Sequence, residues 1–158
     1  MTSSLSSRPL ADCQGALLAA VTDVAENSLF TFADASDEAA FDAAATALDT
    51  AGDWLRACIQ FTGPSSGQFT LTMPEALARR LCAAFAGADS ADDIGESDLI
   101  DFTGELVNMV CGTWLTQSCQ YEAFDLAPPR ELRRGPARAP GGAPGDAESI
   151  RVYLAVDD

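Results

Sequence analysis

The chain has 158 residues, of which 47% are apolar and 21% charged, and its formal charge is −15. This length and balance predict a single domain over residues 1–158 with a hydrophobic core. The acidity argues against polyanionic partners such as nucleic acid or anionic membranes. The sequence contains no lysine and no histidine, which excludes Schiff-base and histidine chemistry and leaves carboxylates, amides, hydroxyls and thiols.

The cysteines are scattered and form no CxxC pair. They are Cys13, Cys58, Cys82, Cys111 and Cys119. An odd number of scattered cysteines predicts reduced thiols, buried as small apolar side chains, in a cytoplasmic protein. Cys111 as a nucleophile would lack a histidine base. The apolar run Ala16–Val21 is too short to span a membrane, so no membrane segment is expected.

The first third of the chain predicts a helix followed by a weakly patterned stretch. Residues 1–8 are polar and are expected to be disordered. Between Pro9 and Phe32, apolar residues recur at helical spacing, which predicts a first helix. Residues 33–52 are acidic and alanine-rich with few large apolar side chains, and they predict a loosely packed helix or a loop.

The middle of the chain predicts a β-hairpin and a second helix. Apolar residues alternate from Trp54 to Phe61 and again in the stretch FTLTM, on either side of the turn sequence TGPSSGQ. Pro74 suits the first turn of a helix, and Gly87 suits its end.

The last third predicts a long helix and two strands. Ser97 is a suitable N-cap for a helix that runs to about Ser118. The stretch YEAFDLAPP predicts a strand ended by two prolines, and IRVYLAV predicts a closing strand. Residues 130–149 predict a mobile loop, whose arginines (Arg130–Arg138) are either solvated charge or a contact for an acidic partner. The element order predicts an α+β fold with helices packed on an antiparallel sheet.

The helix predicted over Ser97–Ser118 has two distinct sides. At about 100° per residue, one arc is expected to face the core. That arc holds Leu99, Phe102, Leu106, Met109, Val110 and Trp114. Another side holds Asp101, Gly104, Glu105, Asn108 and Gly112. Glycine and asparagine are poor helix formers, so solvation explains this second side badly. The glycines indicate either a close helix crossing or an approach by another protein's backbone or a phosphoryl group.

The string DFTGELVNMVCG resembles the signature of the CheX/CheC family of chemotaxis phosphatases. The signature's acidic residue, glutamate and asparagine are matched by Asp101, Glu105 and Asn108, and Gly112 is also typical. The resemblance covers Leu55–Pro129 and implies a CheX/CheC-like fold. The prolines come earlier after the helix than in the family pattern, so the intervening strand is expected to be short or shifted.

The resemblance implies removal of the phosphoryl group from the aspartyl phosphate of a CheY-type response regulator. Asn108 would orient the attacking water, and Glu105 would pair with a lysine of the regulator. The regulator would also supply Mg²⁺, so this chain is expected to bind no cofactor or metal itself. Asp101 would tune Glu105, contact the partner or simply solvate the helix, and Gly104 and Gly112 would support the pair or contact the partner. The alternative is a non-catalytic CheX-like module that docks on a receiver domain or signalling assembly.

The first predicted helix offers acidic and amide residues without the Glu-x-x-Asn spacing, namely Asp23, Glu26 and Asn27. The chain therefore resembles the single-centre CheX type rather than the CheC type with two centres. CheX-type members pair through sheet edges, which implies a homodimer with the closing strand as the expected edge. A thiol-redox enzyme would need paired cysteines, which the sequence does not offer.

Overall fold

The computed structural model describes residues 10–48, 53–119, 122–135 and 150–156. Its elements in chain order are α1 (Leu10–Ser28), β1 (Ala33–Ser36), α2 (Glu38–Leu48), β2 (Trp54–Thr62), β3 (Gly67–Pro74), α3 (Glu75–Ala86), a 3-10 turn (Ala91–Asp93), α4 (Glu96–Ser118), β4 (Asp125–Leu126), β5 (Arg130–Gly135) and β6 (Tyr153–Val156). Helices and antiparallel strands share a hydrophobic core, which confirms the α+β class. The prediction for residues 1–8 lies outside the described residues.

Strand β2 is the centre of the main sheet. It pairs antiparallel with β3 along one edge, with Leu55 opposite Met73 and Ile59 opposite Phe69. Strands β4 and β5 follow one another along its other edge. Alternate side chains of β2 are buried, as expected for a strand with one face against helices. The predicted hairpin is therefore confirmed, and its buried face lies towards α3 and α4.

The observed ends of α3 and α4 can be compared with the ends predicted from the sequence. Gly87 ends α3 in the left-handed conformation, with φ of 67°, which glycine adopts without Cβ strain. Helix α4 begins earlier than predicted, because Gly95 rather than Ser97 is its N-cap. Asp98 favours this start, since its Oδ2 accepts a hydrogen bond from the Gly95 N–H at 3.2 Å. The helix ends at Ser118, as predicted.

A small ribbon corrects two predictions. Ala33–Ser36 forms strand β1 where a helix or loop was expected, and a helix follows at Glu38–Leu48. Strand β1 pairs with β6 in a separate two-stranded sheet, so β6 does not close the main sheet. The sequence ADAS has no β-branched or aromatic residue, so its pairing with β6 outweighs a weak strand propensity.

Strand β5 corrects part of the loop predicted over residues 130–149. Arg130–Gly135 pairs antiparallel with β2, with Arg134 opposite Leu55. The backbone groups of β2 need hydrogen-bond partners along this edge, and this tertiary requirement does not show in the arginine-rich sequence. Residues 136–149 lie outside the described residues.

None of the five cysteines forms a disulfide bond, and all except the half-buried Cys58 are buried. Their predicted role as buried apolar side chains is confirmed for those four. No helix in the described part of the chain is long and apolar enough to cross a membrane.

Candidate functional site

Helix α4 has a buried side and an open side, as its sequence predicts. The residues of the predicted core arc are buried, except Met109, which is half-buried and packs against the core. On the open side, Asp101 and Glu105 are exposed and Asn108 is half-buried. Residues three and four apart are neighbours on a helix surface, so these three side chains form one row.

An open depression of about 480 Å³ lies along this row and is hereafter the α4 groove. It is lined by Ile100, Asp101, Gly104, Glu105, Asn108, Pro128 and Pro129. The structure thus brings together the predicted site residues apart from Gly112, which lies outside the lining. Ile100 was not predicted to line this groove, although a large apolar residue off the core arc is a usable signal. Its side chain is 45% exposed.

Pro128 and Pro129 form the wall of the α4 groove and interrupt the strand edge between β4 and β5. Just before them, Ala127 donates its N–H to the Gln60 carbonyl of β2 at 2.9 Å. Proline has no N–H to donate, so the ladder stops at this point. The register along β2 shifts between β4 and β5, which makes the wall a bulge. Strand β4 has two residues, which confirms the expected short strand.

Residues of this strand edge are the nearest neighbours of two glycines in α4. A Cβ atom at Gly104 would lie 3.6 Å from Cβ of Pro129, and one at Gly112 would lie 3.9 Å from Cδ1 of Leu126. Both are ordinary van der Waals distances, so alanine fits at either position. The close neighbour is thus a strand segment of the same chain. Because a Cβ atom is tolerated at both positions, this segment does not by itself require glycine, and the approach of a partner's backbone or a phosphoryl group stays a prediction.

The polar side chains of the α4 groove have no partner among the described residues. No hydrogen bond or ion pair joins Asp101, Glu105 or Asn108 to another side chain there. The two carboxylates make the groove acidic, and the asparagine amide supplies both a donor and an acceptor. Arg79 and Arg134 bind other carboxylates, Glu75 and Glu96. The groove can therefore attract a cation and hold a water molecule at Asn108.

The thiol of α4 lies on the other side of the helix. Cys111 is buried, and burial raises the pKa of its thiol to about 12, so the reactive thiolate does not form near neutral pH. The residues that the structure describes include no group of three or more His, Cys, Asp or Glu side chains placed to hold a metal ion. The chemistry available in the α4 groove is that of two carboxylates and an amide.

Helix α1 carries similar residues in a different arrangement. Asp23, Glu26 and Asn27 are exposed. The Nδ2 of Asn27 donates a hydrogen bond to Oδ1 of Asp23 at 2.7 Å, so this amide is already engaged within its own helix. The arrangement agrees with the interpretation of α1 as a helix without a second centre.

The fold and this helix face define a protein of the CheX/CheC class. CheX from Vibrio vulnificus is 20% identical, with 85% of this chain and 82% of that chain covered and a TM-score of 0.61. A CheC-like superfamily protein from Shewanella sp. PV-4 is 19% identical, with 93% and 90% covered and a TM-score of 0.61. The CheX–CheY–BeF3–Mg²⁺ complex from Borrelia burgdorferi matches at 15% identity, with 75% and 73% covered and a TM-score of 0.52. At these identities the likeness establishes the fold.

The family assignment comes from the sequence. Residues 55–145 match the family model described as chemotaxis phosphatase CheX. Because this match spans more than half of the chain, the protein belongs to the CheX family, which confirms the resemblance. No functionally curated protein gives a significant match.

Proposed function

We propose that this CheX-family protein removes the phosphoryl group from the aspartyl phosphate of a CheY-type response regulator. The observation that carries the proposal is the placement of Glu105 and Asn108 in one open groove, without partners among the described residues. Family membership supports it, as does the CheX of similar fold from Borrelia burgdorferi that was solved in complex with CheY.

Hydrolysis of an aspartyl phosphate requires a well-placed water more than a covalent catalyst. In this proposal the Asn108 amide hydrogen-bonds the water and aims its oxygen at phosphorus, opposite the aspartyl oxygen. The bond between phosphorus and the aspartyl oxygen breaks with its electron pair on the carboxylate. A bond from phosphorus to the water oxygen forms, and inorganic phosphate leaves with the water's protons. This chain accepts no proton or phosphoryl group, so it needs neither histidine nor lysine.

Glu105 has the docking role in the proposal. Its exposed carboxylate lies next to Asn108 and pairs with a lysine of the receiver, which places the phosphoaspartate before the amide. Asp101 lies one turn earlier in the same row and adds to the negative potential that attracts such a cation. Mg²⁺ is expected from the receiver, where it neutralises charge on the phosphoryl oxygens.

A second candidate is a CheX-like module that docks on a receiver without catalysis. The observation that favours it is the wall at Pro128 and Pro129, which belongs to the same chain and lines the groove beside Gly104. A wall this close to the helix narrows the approach to Asn108. The acidic row would still bind a receiver if its phosphoaspartate stopped short of the amide.

Release of inorganic phosphate from phosphorylated receiver domains of the same genome separates the two candidates. A substoichiometric amount of this protein is expected to accelerate release over many turnovers with its cognate receiver. Tight binding of a phosphorylated receiver without faster release would identify the docking module. If the protein neither binds any receiver nor accelerates phosphate release from one, both candidates are contradicted. The homodimer and the cytoplasmic location stay predictions, checked by light scattering and cell fractionation.

A further inference from the structure

We propose that Arg134 is a positioning residue that fixes the Pro128–Pro129 wall of the α4 groove by tying strand β5 to the first turns of α3 and α4. The geometry stands by itself, whereas the expected effect on turnover rests on the proposed function. The sequence offered two explanations for the arginines near this point, solvated charge and contact with an acidic partner. Arg134 fits neither, because its guanidinium binds within the chain.

The guanidinium of Arg134 binds one glutamate at the start of each helix. It forms a two-point contact with Glu96, with Nη1 at 2.6 Å from Oε1 and Nη2 at 2.7 Å from Oε2. Its Nε donates to Oε2 of Glu75 at 2.8 Å. Glu75 begins α3 and Glu96 begins α4, where the helix dipole also favours a carboxylate. One side chain of β5 therefore joins three elements.

These contacts specify position more than they add stability. The side chains are 37% exposed at Arg134, 51% at Glu96 and 21% at Glu75, so solvent screens the attraction between the charges. The two-point geometry nevertheless restrains direction as well as distance, because the planar fork matches the carboxylate. Hydrogen bonds from Arg134 also hold the pKa of both carboxyl groups below the usual range, which keeps both charged.

The wall depends on such an anchor because its own backbone has few hydrogen-bond donors to hold it in place. Pro128 and Pro129 have no N–H group, so they donate no hydrogen bond to β2. The segment is held upstream by the bond from Ala127 to Gln60 and downstream by β5, which begins directly after Pro129. Arg134 connects that downstream strand to α4, the helix that also carries Asn108. The width of the α4 groove is thereby set relative to the residues that line its floor.

The closeness of the wall to α4 allows a direct measurement that requires no phosphatase activity. A Cβ atom at Gly104 would lie 3.6 Å from Cβ of Pro129, within the range of roughly 3.5–4.5 Å that disulfides use. The pair Gly104→Cys and Pro129→Cys is therefore expected to close under mild oxidation, at a rate followed by mass spectrometry. Arg134→Gln in this background is expected to slow closure roughly three- to tenfold, since the anchor is a partly exposed ion-pair network.

Arg79→Gln is the matched control. Arg79 binds the same two glutamates, with its Nη2 2.7 Å from Glu75 and 3.6 Å from Glu96, but it lies on α3 and leaves β5 tied. This variant is expected to have a lower unfolding temperature, and the disulfide between the two introduced cysteines is expected to form at the unchanged rate. Unchanged closure with Arg134→Gln, or equal slowing with Arg79→Gln, overturns the inference.

Turnover gives the second readout. Arg134→Gln is expected to raise KM for the phosphorylated receiver roughly three- to tenfold and to change kcat by less than about twofold, because the wall guides docking and Asn108 stays on its helix. Arg134→Lys keeps the charge without the planar fork, and its KM is expected to lie between those of wild type and Arg134→Gln. If Arg134→Gln does not fold, Arg134→Lys replaces it in both assays. Inactivity of every variant, wild type included, would contradict the proposed function and leave the closure result as the test of the anchor.

Discussion

Helices α1 and α4 both carry acidic side chains near an asparagine, and only α4 leaves the amide available. On α1, Asp23 and Asn27 are four residues apart, and their side chains meet in a hydrogen bond of 2.7 Å. On α4, Glu105 and Asn108 are three residues apart, and neither has a partner among the described residues. The Asn27 amide is therefore engaged within its own helix, whereas the Asn108 amide is available for a water molecule.

The two helices also differ in what lies beside them. A Cβ atom at Gly15 of α1 would meet nothing within 4 Å, whereas one at Gly104 of α4 would contact the Pro129 ring. The α4 groove is therefore a helix face together with a strand-edge wall. Residue types alone therefore do not make the site, since α1 has similar types and its amide is engaged within the helix.

The largest expected effect is that of Asn108→Ala. Loss of one positioned polar group costs about 2.7–4 kcal/mol of transition-state stabilisation, so kcat for phosphate release should fall a hundredfold or more. Affinity for the receiver, measured by calorimetry, should stay the same. The matched change on α1, Asn27→Ala, should leave the rate unchanged. Equal losses from the two variants would break the distinction between the helices.

A larger side chain in the floor of the groove is expected to act next. Gly104→Leu should displace Pro129, weaken receiver binding about tenfold or more and lower the free energy of unfolding by about 1–3 kcal/mol. Gly104→Ala should bind normally and gain up to about 1 kcal/mol of stability from helix propensity. Gly15→Leu is the control and should bind normally. Calorimetry and urea unfolding measure these outcomes, and tight binding by Gly104→Leu would place the receiver elsewhere.

Removing the charge of Glu105 is expected to have a moderate effect. Glu105→Gln should raise Kd for the receiver roughly three- to tenfold at low salt, because an exposed carboxylate loses its attraction for a lysine. The difference from wild type should shrink as salt screens the charges. Glu26→Gln on α1 should change nothing. If Glu105→Gln binds the receiver with the same Kd as wild type, the result would count against the lysine contact.

The smallest expected effect is the pH-dependent stability from Glu75. A hydrogen bond from Arg134, helped by Arg79, holds the pKa of this carboxyl below its ordinary value of 4.5. A pKa lowered by folding contributes stability that is present above pH 4.5 and is lost as pH falls through the lowered pKa. Glu75→Gln should therefore cost about 1 kcal/mol or less at pH 7 and nothing in strong acid. Urea unfolding of wild type and Glu75→Gln from pH 7 down to strong acid tests this prediction. A difference in unfolding free energy that persists in strong acid would rule out the ion pair as its cause.

Local patterns in the sequence predicted the elements whose signals lie within a few neighbouring residues. The alternation from Trp54 to Phe61 predicted β2, and Gly87 predicted the end of α3, because both reflect local backbone and side-chain preferences. Strand β1 was missed, since ADAS becomes a strand through pairing with β6. Strand β5 was missed for the same reason, because the edge of β2 supplies its partners.

The sequence by itself determined which side of α4 carries Asp101, Glu105 and Asn108, because helix periodicity depends only on spacing along the chain. What stands opposite that side depends on how the chain packs. The Pro129 ring lies beside Gly104, and Arg134 reaches Glu75 across 59 positions of sequence, through strand pairing that no local pattern encodes. The helix face is therefore a local property of the chain, whereas the wall that makes it a groove is a product of packing.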